Sequence, residues 1–226
     1  GHPNADMLAE KLRELHGAER AMITSCGMAA IAAVALSQLR SGDHIVVSDQ
    51  LYGRSLELLA GESTRLGVTC EVVDTSDLDA VHSATTSATK MIAAETISNP
   101  LLRVADIQVL AEIAHGHDAK LLIDNTFASP IVCRPLEHGA DLVVKSISKS
   151  INGHSDVMLG AVLGREADWH GLARMVSIWG LASSPFDCWL AERGLMTLHL
   201  RAQAACRNAQ AVADFLTQQS PAVEKV

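Results

Sequence analysis

The run KLLID at residues 120–124 decides the fold class of this chain. Its apolar residues are consecutive instead of alternating with polar ones, which is typical of a strand buried on both faces of a parallel sheet. The run LVVK at residues 142–145 has the same character. Polar residues follow each run at once, Asn125 and Thr126 after the first and Ser146, Ser148 and Lys149 after the second. The two runs therefore predict strands that carry polar groups at their carboxyl ends.

Five further runs of this kind occur along the chain, and helical patterns lie between them. Strands and helices in alternation predict an α/β fold with a mostly parallel seven-stranded sheet flanked by helices and joined by right-handed crossovers. The predicted strands are residues 21–24, 44–48, 69–73, 90–94, 120–124, 142–145 and 158–163. The predicted helices are residues 4–15, 27–39, 55–66, 104–115 and 167–178, with a long last helix after residue 185 that is broken near residue 194. No repeat or linker interrupts the pattern, so residues 1–226 are expected to form one domain.

Composition argues against several classes of protein. The 226 residues are 48% apolar and carry a net charge of −8, so the surface as a whole attracts neither nucleic acid nor an anionic membrane. The longest apolar run, residues 29–36, is far shorter than the roughly 20 residues that a membrane span needs. The five cysteines are scattered without CxxC or Cys/His spacing, which argues against a disulfide framework and a zinc site. These features predict a cytoplasmic protein.

Lys149 is the first candidate for chemistry. It lies just after a predicted strand, in the segment SISKSINGH at residues 146–154. A partly desolvated amine at the edge of a sheet has its ammonium form disfavoured and is able to attack an aldehyde. For any single lysine, a solvated surface position is the ordinary alternative.

Asp124 and Tyr52 are candidates for holding a planar ring. A carboxylate at the end of an apolar strand needs a partner, and a protonated pyridine nitrogen is a good one. An Asx-turn to the residues that follow Asp124 is an equally open alternative. Tyr52 is the only tyrosine and lies after the predicted strand 44–48, where its ring either stacks on a cofactor or packs in the core.

The segment TSCGMAA at residues 24–30 predicts a strand end that turns into a helix. Gly27 permits a close approach of the backbone, and the start of a helix offers unpaired N–H groups to a phosphate. The hydroxyls of Ser146 and Ser148 would add donors. Neither GxGxxG nor a P-loop motif occurs, which argues against dinucleotide and nucleoside-triphosphate sites.

Two other kinds of site find little support in the sequence. His154 and Asp156 resemble half of a metal site but have no third ligand at usable spacing, so no metal is expected. Ser25 or Cys26 as a nucleophile would need a GxSxG motif or a nearby histidine, and neither is evident.

Taken together, the motifs resemble the Cys/Met-metabolism family of pyridoxal 5'-phosphate (PLP) enzymes, the trans-sulfuration enzymes that include cystathionine gamma-synthase, cystathionine gamma- and beta-lyase and methionine gamma-lyase. SCGMAA at residues 25–30 is similar to the family's SSGMAA turn, and ETISNP at residues 95–100 is similar to its ESPSNP segment. DNTFASP at residues 124–130 and SISKSINGHSD at residues 146–156 resemble DNTFATP and SATKYLGGHSD. The resemblance covers nearly the whole chain.

The resemblance implies the large domain of fold type I PLP enzymes and a reaction that makes or breaks a C–S bond of an amino acid such as cystathionine, methionine or O-acylhomoserine. It implies that Lys149 holds the cofactor and shuttles protons, that Asp124 pairs with the pyridine nitrogen, and that Tyr52 stacks on the ring and assists catalysis. It further implies that Asn99 bonds the phenolic oxygen of the ring. The phosphate would be held by Gly27, Met28, Ser146 and Ser148.

The resemblance also implies partners and parts beyond this chain. Members form homodimers or homotetramers with a shared active site, and the Tyr-x-Arg donors that reach a neighbouring subunit would precede residue 1. The small C-terminal domain, with the arginine that grips the substrate carboxylate, would follow residue 226. Ile97, Ser150 and Asn152 depart from the family pattern, which leaves the substrate open. An aminotransferase of the same fold type and a non-catalytic fragment stay open as alternatives.

Overall fold

A seven-stranded sheet forms the centre of the computed structural model, which describes residues 2–219. The strands are β1 (Arg20–Thr24), β2 (His44–Ser48), β3 (Thr69–Val73), β4 (Thr89–Glu95), β5 (Lys120–Asp124), β6 (Leu142–Ser146) and β7 (Gly160–Gly164). Their order across the sheet is β1-β7-β6-β5-β4-β2-β3. β7 is antiparallel to both of its neighbours, and the other pairs are parallel. The predicted mostly parallel seven-stranded sheet is confirmed.

Helices connect the strands and cover both faces of the sheet. In the described range they are α1 (Pro3–His16), α2 (Gly27–Gln38), α3 (Gly53–Leu56), α4 (Leu78–Ala84), α5 (Ile107–Gly116), α6 (Ser129–Val132), α7 (Leu172–Ile178), α8 (Pro185–Leu195) and α9 (Leu198–Gln219). A π-helical turn spans Glu57–Gly61, and 3-10 turns span Glu62–Leu66, Pro135–His138 and Glu166–Asp168. No helix within residues 2–219 is long and apolar enough to cross a membrane.

Two predicted helices are interrupted in the structure, and α4 and α6 were not predicted. The expected helix over residues 55–66 passes from α3 into a π turn and then a 3-10 turn. In this segment the hydroxyls of Ser63 and Thr64 bond nearby main-chain carbonyls, which competes with regular helical bonding. The expected helix over residues 167–178 begins only at Leu172, because Gly171 adopts a left-handed φ of 79° that a continuous α-helix does not contain.

Both faces of the central strands are buried. On β5, Leu122 belongs to an apolar cluster with residues of α2 and α7. Leu121 and Ile123 point to the other face and belong to a cluster with residues of α1, α5 and α8. Burial on both faces explains why the apolar runs in the sequence do not alternate with polar residues.

The carboxyl ends of the strands meet at one edge of the sheet. β1 runs in the same direction as β6, because both are antiparallel to β7. This edge therefore carries the last residues of six strands, among them Thr24, Glu95, Asp124 and Ser146. Ligands of parallel α/β sheets bind at such an edge.

Gly160, the first residue of β7, lies against the turn that precedes α2. A Cβ atom added to Gly160 would lie 2.2 Å from the carbonyl oxygen of Cys26 and 2.7 Å from the hydroxyl oxygen of Thr24. The first of these contacts is with the backbone, so a side chain here requires the strand or the turn to move.

We expect Gly160→Ala to lower the free energy of unfolding by about 1–3 kcal/mol, the usual cost of adding a group to a filled site. Urea denaturation of the full-length protein measures this change. Gly61→Ala is the control, because a Cβ atom there meets nothing within 4 Å, and its effect should stay below about 1 kcal/mol. Equal effects of the two substitutions would contradict the close approach of β7 and the turn.

Candidate active site

Asp124 closes β5 at the carboxyl edge, where its side chain is half-buried. Its Oδ1 accepts the N–H of Thr126 at 2.9 Å, so the Asx-turn that the sequence left open is present. Burial raises the pKa of the Asp124 carboxyl, and hydrogen bonds from Thr126 oppose that rise. The turn holds the carboxylate in a fixed orientation at the edge.

Glu95 lies next to Asp124, because the two residues pair in register across β4 and β5. Its Oε1 accepts the N–H of Tyr52 at 2.7 Å. Burial raises the pKa of Glu95 to about 7, and the neighbouring Asp124 adds to the rise. The backbone amides of Tyr52 and Asn99 act in the opposite direction.

The two carboxylates form a place for a cation. Each opposes the ionisation of the other, and neither forms an ion pair with any residue in the range 2–219. The buried amine of Lys145 lowers the pKa of Asp124 through space but donates its hydrogen bond to the carbonyl of Asn125, at 3.3 Å. A protonated ring nitrogen beside Asp124 fits this site, since it would balance the negative charge.

The start of α2 lies against the end of β6. A Cβ atom on Gly27 would come within 3.0 Å of the Cβ of Ser146, so glycine leaves the room between them. As the first two residues of the helix, Gly27 and Met28 have N–H groups with no acceptor inside the helix. The structure thus brings these N–H groups and Ser146 together in a corner suited to an anion.

Lys149 lies on the turn after β6, and Thr126 ties this turn to Asp124. The Oγ1 of Thr126 accepts the N–H of Ser146 at 2.8 Å, and its carbonyl accepts the hydroxyl of Ser150 at 3.5 Å. The Lys149 side chain is exposed. The expected partial desolvation of this amine is therefore not provided by residues 2–219, because the turn projects the side chain beyond the edge of the sheet.

Arg201 of α9 holds the same turn from the other side. Its guanidinium donates to the carbonyls of Ser150 and Ile151 at 2.6 and 2.9 Å, and to the carbonyl of Gly194 at 2.8 Å. Arg201 lies 51 positions after Ser150, so no local sequence pattern predicts the contact. The backbone next to Lys149 is fixed by this arginine.

Lys145 is the buried amine of this region. Only 1% of the residue is exposed, and its side chain points to the face opposite that of Ser146, because neighbouring residues of a strand alternate. Burial lowers the pKa of Lys145 to about 7, while Asp124 acts to raise it. Burial and the Lys145 charge in turn lower the pKa of His16, which is fully buried and has no hydrogen-bond partner in the described structure. Neither residue is open to a ligand at the edge.

Tyr52 and Asn99 are exposed at the same edge. Tyr52 immediately precedes α3 and is 56% exposed, so its ring is open to a ligand instead of packed in the core. Asn99 follows β4, and the main-chain N–H of Tyr52 donates to Glu95 at the end of that strand. The structure thus brings two predicted site residues together through a residue that was not among the predicted ones.

Ser148 is placed differently from Ser146. Its hydroxyl donates to the carbonyl of Leu159 at 3.2 Å and accepts the N–H of Leu159 at 3.0 Å. As placed, it has no donor left for a phosphate, because a hydroxyl has one hydrogen. The same contacts delay the start of β7 to Gly160, two residues after the predicted start at 158.

The fold and this edge define a class of protein. A mostly parallel α/β sheet that combines a lysine-bearing turn, a carboxylate and a helix start suited to an anion is the architecture of a PLP-binding domain of fold type I. The family model for Cys/Met metabolism PLP-dependent enzymes matches residues 1–226. The chain belongs to this family, which confirms the resemblance and makes PLP the cofactor.

Individual relatives agree with this assignment. The chain is 41% identical over 230 residues to L-methionine gamma-lyase of Porphyromonas gingivalis, with 100% of this chain and 57% of the relative covered. It is 40% identical over 227 residues to cystathionine beta-lyase of Lactococcus lactis subsp. cremoris, with 100% and 59% covered. A solved structure of cystathionine gamma-lyase from Lactobacillus plantarum complexed with L-serine superposes with a TM-score of 0.94 at 38% identity, covering 100% of this chain and 59% of that one. The chain therefore spans less than two thirds of the length of these relatives.

The raised pKa of Glu95 predicts a pH dependence of stability. The carboxyl has a pKa of about 7 in the folded state against an ordinary 4.5, so between these values the folded state binds more protons and its stability falls as pH rises. We expect Glu95→Gln to flatten the fall between pH 5 and pH 7.5, measured as urea midpoints of the cofactor-free full-length protein. Glu62→Gln, whose carboxylate is exposed and paired with Arg65, should keep the wild-type slope. A slope for Glu95→Gln equal to that of the wild type would contradict the burial of this charge.

Proposed function

We propose that the full-length protein is a PLP-dependent carbon–sulfur lyase or gamma-replacing transferase of sulfur amino-acid metabolism. Its substrate would be an amino acid such as cystathionine, methionine or O-acylhomoserine. The observation that carries the proposal is that the lysine-bearing turn and the Asp124 carboxylate are joined through Thr126 at one edge of the sheet. The names of the relatives, L-methionine gamma-lyase and cystathionine beta-lyase, support the substrate class.

Lys149 is proposed to hold the cofactor covalently, with Asp124 beside the pyridine nitrogen and Tyr52 over the ring. Asn99 would bond the phenolic oxygen. The phosphate would lie at the start of α2 and be held by Gly27, Met28, Ser146 and Ser148. Of these, Ser148 would first have to release the carbonyl of Leu159 that it bonds.

Each residue has a chemical task in this proposal. Bound PLP supplies an electron sink that stabilises negative charge at the substrate carbon next to the amino group. Asp124 keeps the ring nitrogen protonated by pairing with it, and the burial of that carboxylate strengthens the pairing. Lys149, on an exposed and flexible stem, would move protons between substrate carbons. Tyr52 would orient the ring and assist departure of the sulfur group.

We further propose that residues 1–226 are the PLP-binding large domain of a longer cytoplasmic protein that assembles as a homodimer or homotetramer. The exposure of Lys149, Tyr52 and Asn99 supports an active site that is completed by other segments or by a neighbouring subunit. No role in binding nucleic acid or membrane is proposed, in keeping with the net charge of −8.

Lys149→Ala is expected to abolish covalent attachment of the cofactor and catalytic turnover. Borohydride reduction of the full-length protein loaded with PLP, followed by peptide mapping, locates the modified lysine. Lys145 provides an internal control, because it is an amine four positions earlier that is buried on the other face. Labelling of Lys145 instead of Lys149 would refute the assignment. A label that persists in Lys149→Ala would refute it as well.

Asp124→Asn is expected to retain the covalently held cofactor but to lose turnover by about 100-fold or more, the scale of losing one preorganised electrostatic contact. Thiol and keto-acid release from cystathionine, methionine, homocysteine, and O-acylhomoserine with cysteine measures the turnover. Thiol release or C–S bond formation by the wild type supports the proposal, whereas amino-group transfer without it favours an aminotransferase. Unchanged turnover of Asp124→Asn would remove this carboxylate from the mechanism.

A further inference from the structure

We propose that Glu95 is a positioning residue, whose carboxylate ties the loop that carries Tyr52 to the loop that carries Asn99. The consequence for the cofactor rests on the proposed function, because the roles of Tyr52 and Asn99 do. The tether itself depends only on contacts within the chain and is testable in the cofactor-free protein.

At the Tyr52 end of the tether, both the N–H and the carbonyl of Tyr52 form hydrogen bonds. The N–H of Tyr52 donates to Glu95 Oε1 at 2.7 Å, across 43 positions of sequence. The carbonyl of Tyr52 accepts the N–H groups of Ser55 and Leu56 at 2.7 and 3.0 Å and so begins α3. With its N–H and its carbonyl both bonded, the backbone of Tyr52 has one orientation, and the ring leaves it at the open edge.

The Asn99 end belongs to a loop that is closed on itself. The N–H of Ser98 bonds the carbonyl of Arg103 at 2.9 Å, and the N–H of Leu102 bonds the carbonyl of Ser98 at 3.0 Å. This loop directly follows Glu95, the last residue of β4. A bond made by the Glu95 side chain therefore acts at the base of the loop that carries Asn99.

Each charged side chain described near Glu95 either repels its carboxylate or is bonded to another group. Asp124 on β5 is the adjacent carboxylate and repels it. Arg103, which lines the same recess as Glu95, is paired with Asp74 at 2.6 Å. Lys145 bonds the carbonyl of Asn125 on the far side of Asp124. The main-chain N–H of Tyr52 is therefore the hydrogen-bond donor of this carboxylate in the described structure, and N–H bonds to a charged acceptor are among the stronger ones.

One carboxylate then sets the spacing between the residue over the ring face and the residue at the phenolic oxygen. Glu95 itself need not touch the cofactor. It acts through the backbone N–H of Tyr52, in the same way for any substrate that the site accepts.

Hydrogen exchange of the cofactor-free full-length protein tests the tether directly. Glu95→Ala removes the acceptor oxygen, so the amide of Tyr52 should exchange about tenfold faster. Glu95→Gln keeps one acceptor oxygen, so the Tyr52 amide should stay more protected than in Glu95→Ala. Glu62→Gln is the matched control and should leave this amide unchanged. Wild-type exchange at Tyr52 in Glu95→Ala would overturn the proposal, and circular dichroism establishes that the variants are folded.

Equilibrium binding of PLP to the same proteins tests the consequence. Glu95→Ala is expected to weaken PLP binding by about tenfold while reduction still labels Lys149, with Glu95→Gln between it and the wild type. Unchanged affinity in Glu95→Ala would overturn the positioning role even if the Tyr52 amide exchanges faster. A wild-type protein that takes up no PLP would defeat the proposed function instead, and the exchange experiment would still decide the tether.

Discussion

The parallel pairing of β4 with β5 sets Glu95 beside Asp124 at the carboxyl edge of the sheet. Burial raises the pKa of both carboxyls, and the neighbouring Asp124 raises the pKa of Glu95 further. Such a pair persists in a folded protein only where hydrogen-bond donors and positive charge offset it. The main-chain N–H of Tyr52 donates to Glu95, and the N–H of Thr126 donates to Asp124. Asp124 forms no ion pair within residues 2–219, so this edge suits the binding of a protonated ring.

The start of α2 provides a positively polarised region at the same edge of the sheet. The start of α2 offers N–H groups and the positive end of a helix dipole. Glycines allow the start of α2 to lie close to β6 and β7. A side chain on Gly27 would press on Ser146, and one on Gly160 would meet the backbone of Cys26. An edge with a negative corner and an anion-binding corner matches a ligand that carries a protonated ring at one end and a phosphate at the other. The exposed Lys149 reaches this edge from the turn after β6.

Much of this arrangement was predictable from local patterns. The central strands were found because burial on both faces produces consecutive apolar residues, and Asp124 was found because a carboxylate ended such a run. Glu95 follows the predicted strand over residues 90–94 in the same way, and this signal was sufficient to find it. The helices over 55–66 and 167–178 were predicted too long, because hydroxyl groups and a left-handed glycine interrupt them where the apolar pattern continues. The bonds from Thr126 to Ser146 and Ser150, and those of Arg201, cross the fold and had no local signal.

Local sequence patterns establish the order of strands and helices along the chain, the family and the motifs at the strand ends, since burial and turn chemistry are local. Which polar groups meet depends on the three-dimensional fold. It separated Lys145 from Lys149, four positions apart, by burying one amine behind β6 and exposing the other on a turn. It directed the hydroxyl of Ser148 to Leu159 and joined Tyr52 to Glu95. The physical reason is that hydrogen bonds and charge pairs depend on distances in space, which strand pairing sets between segments far apart in sequence.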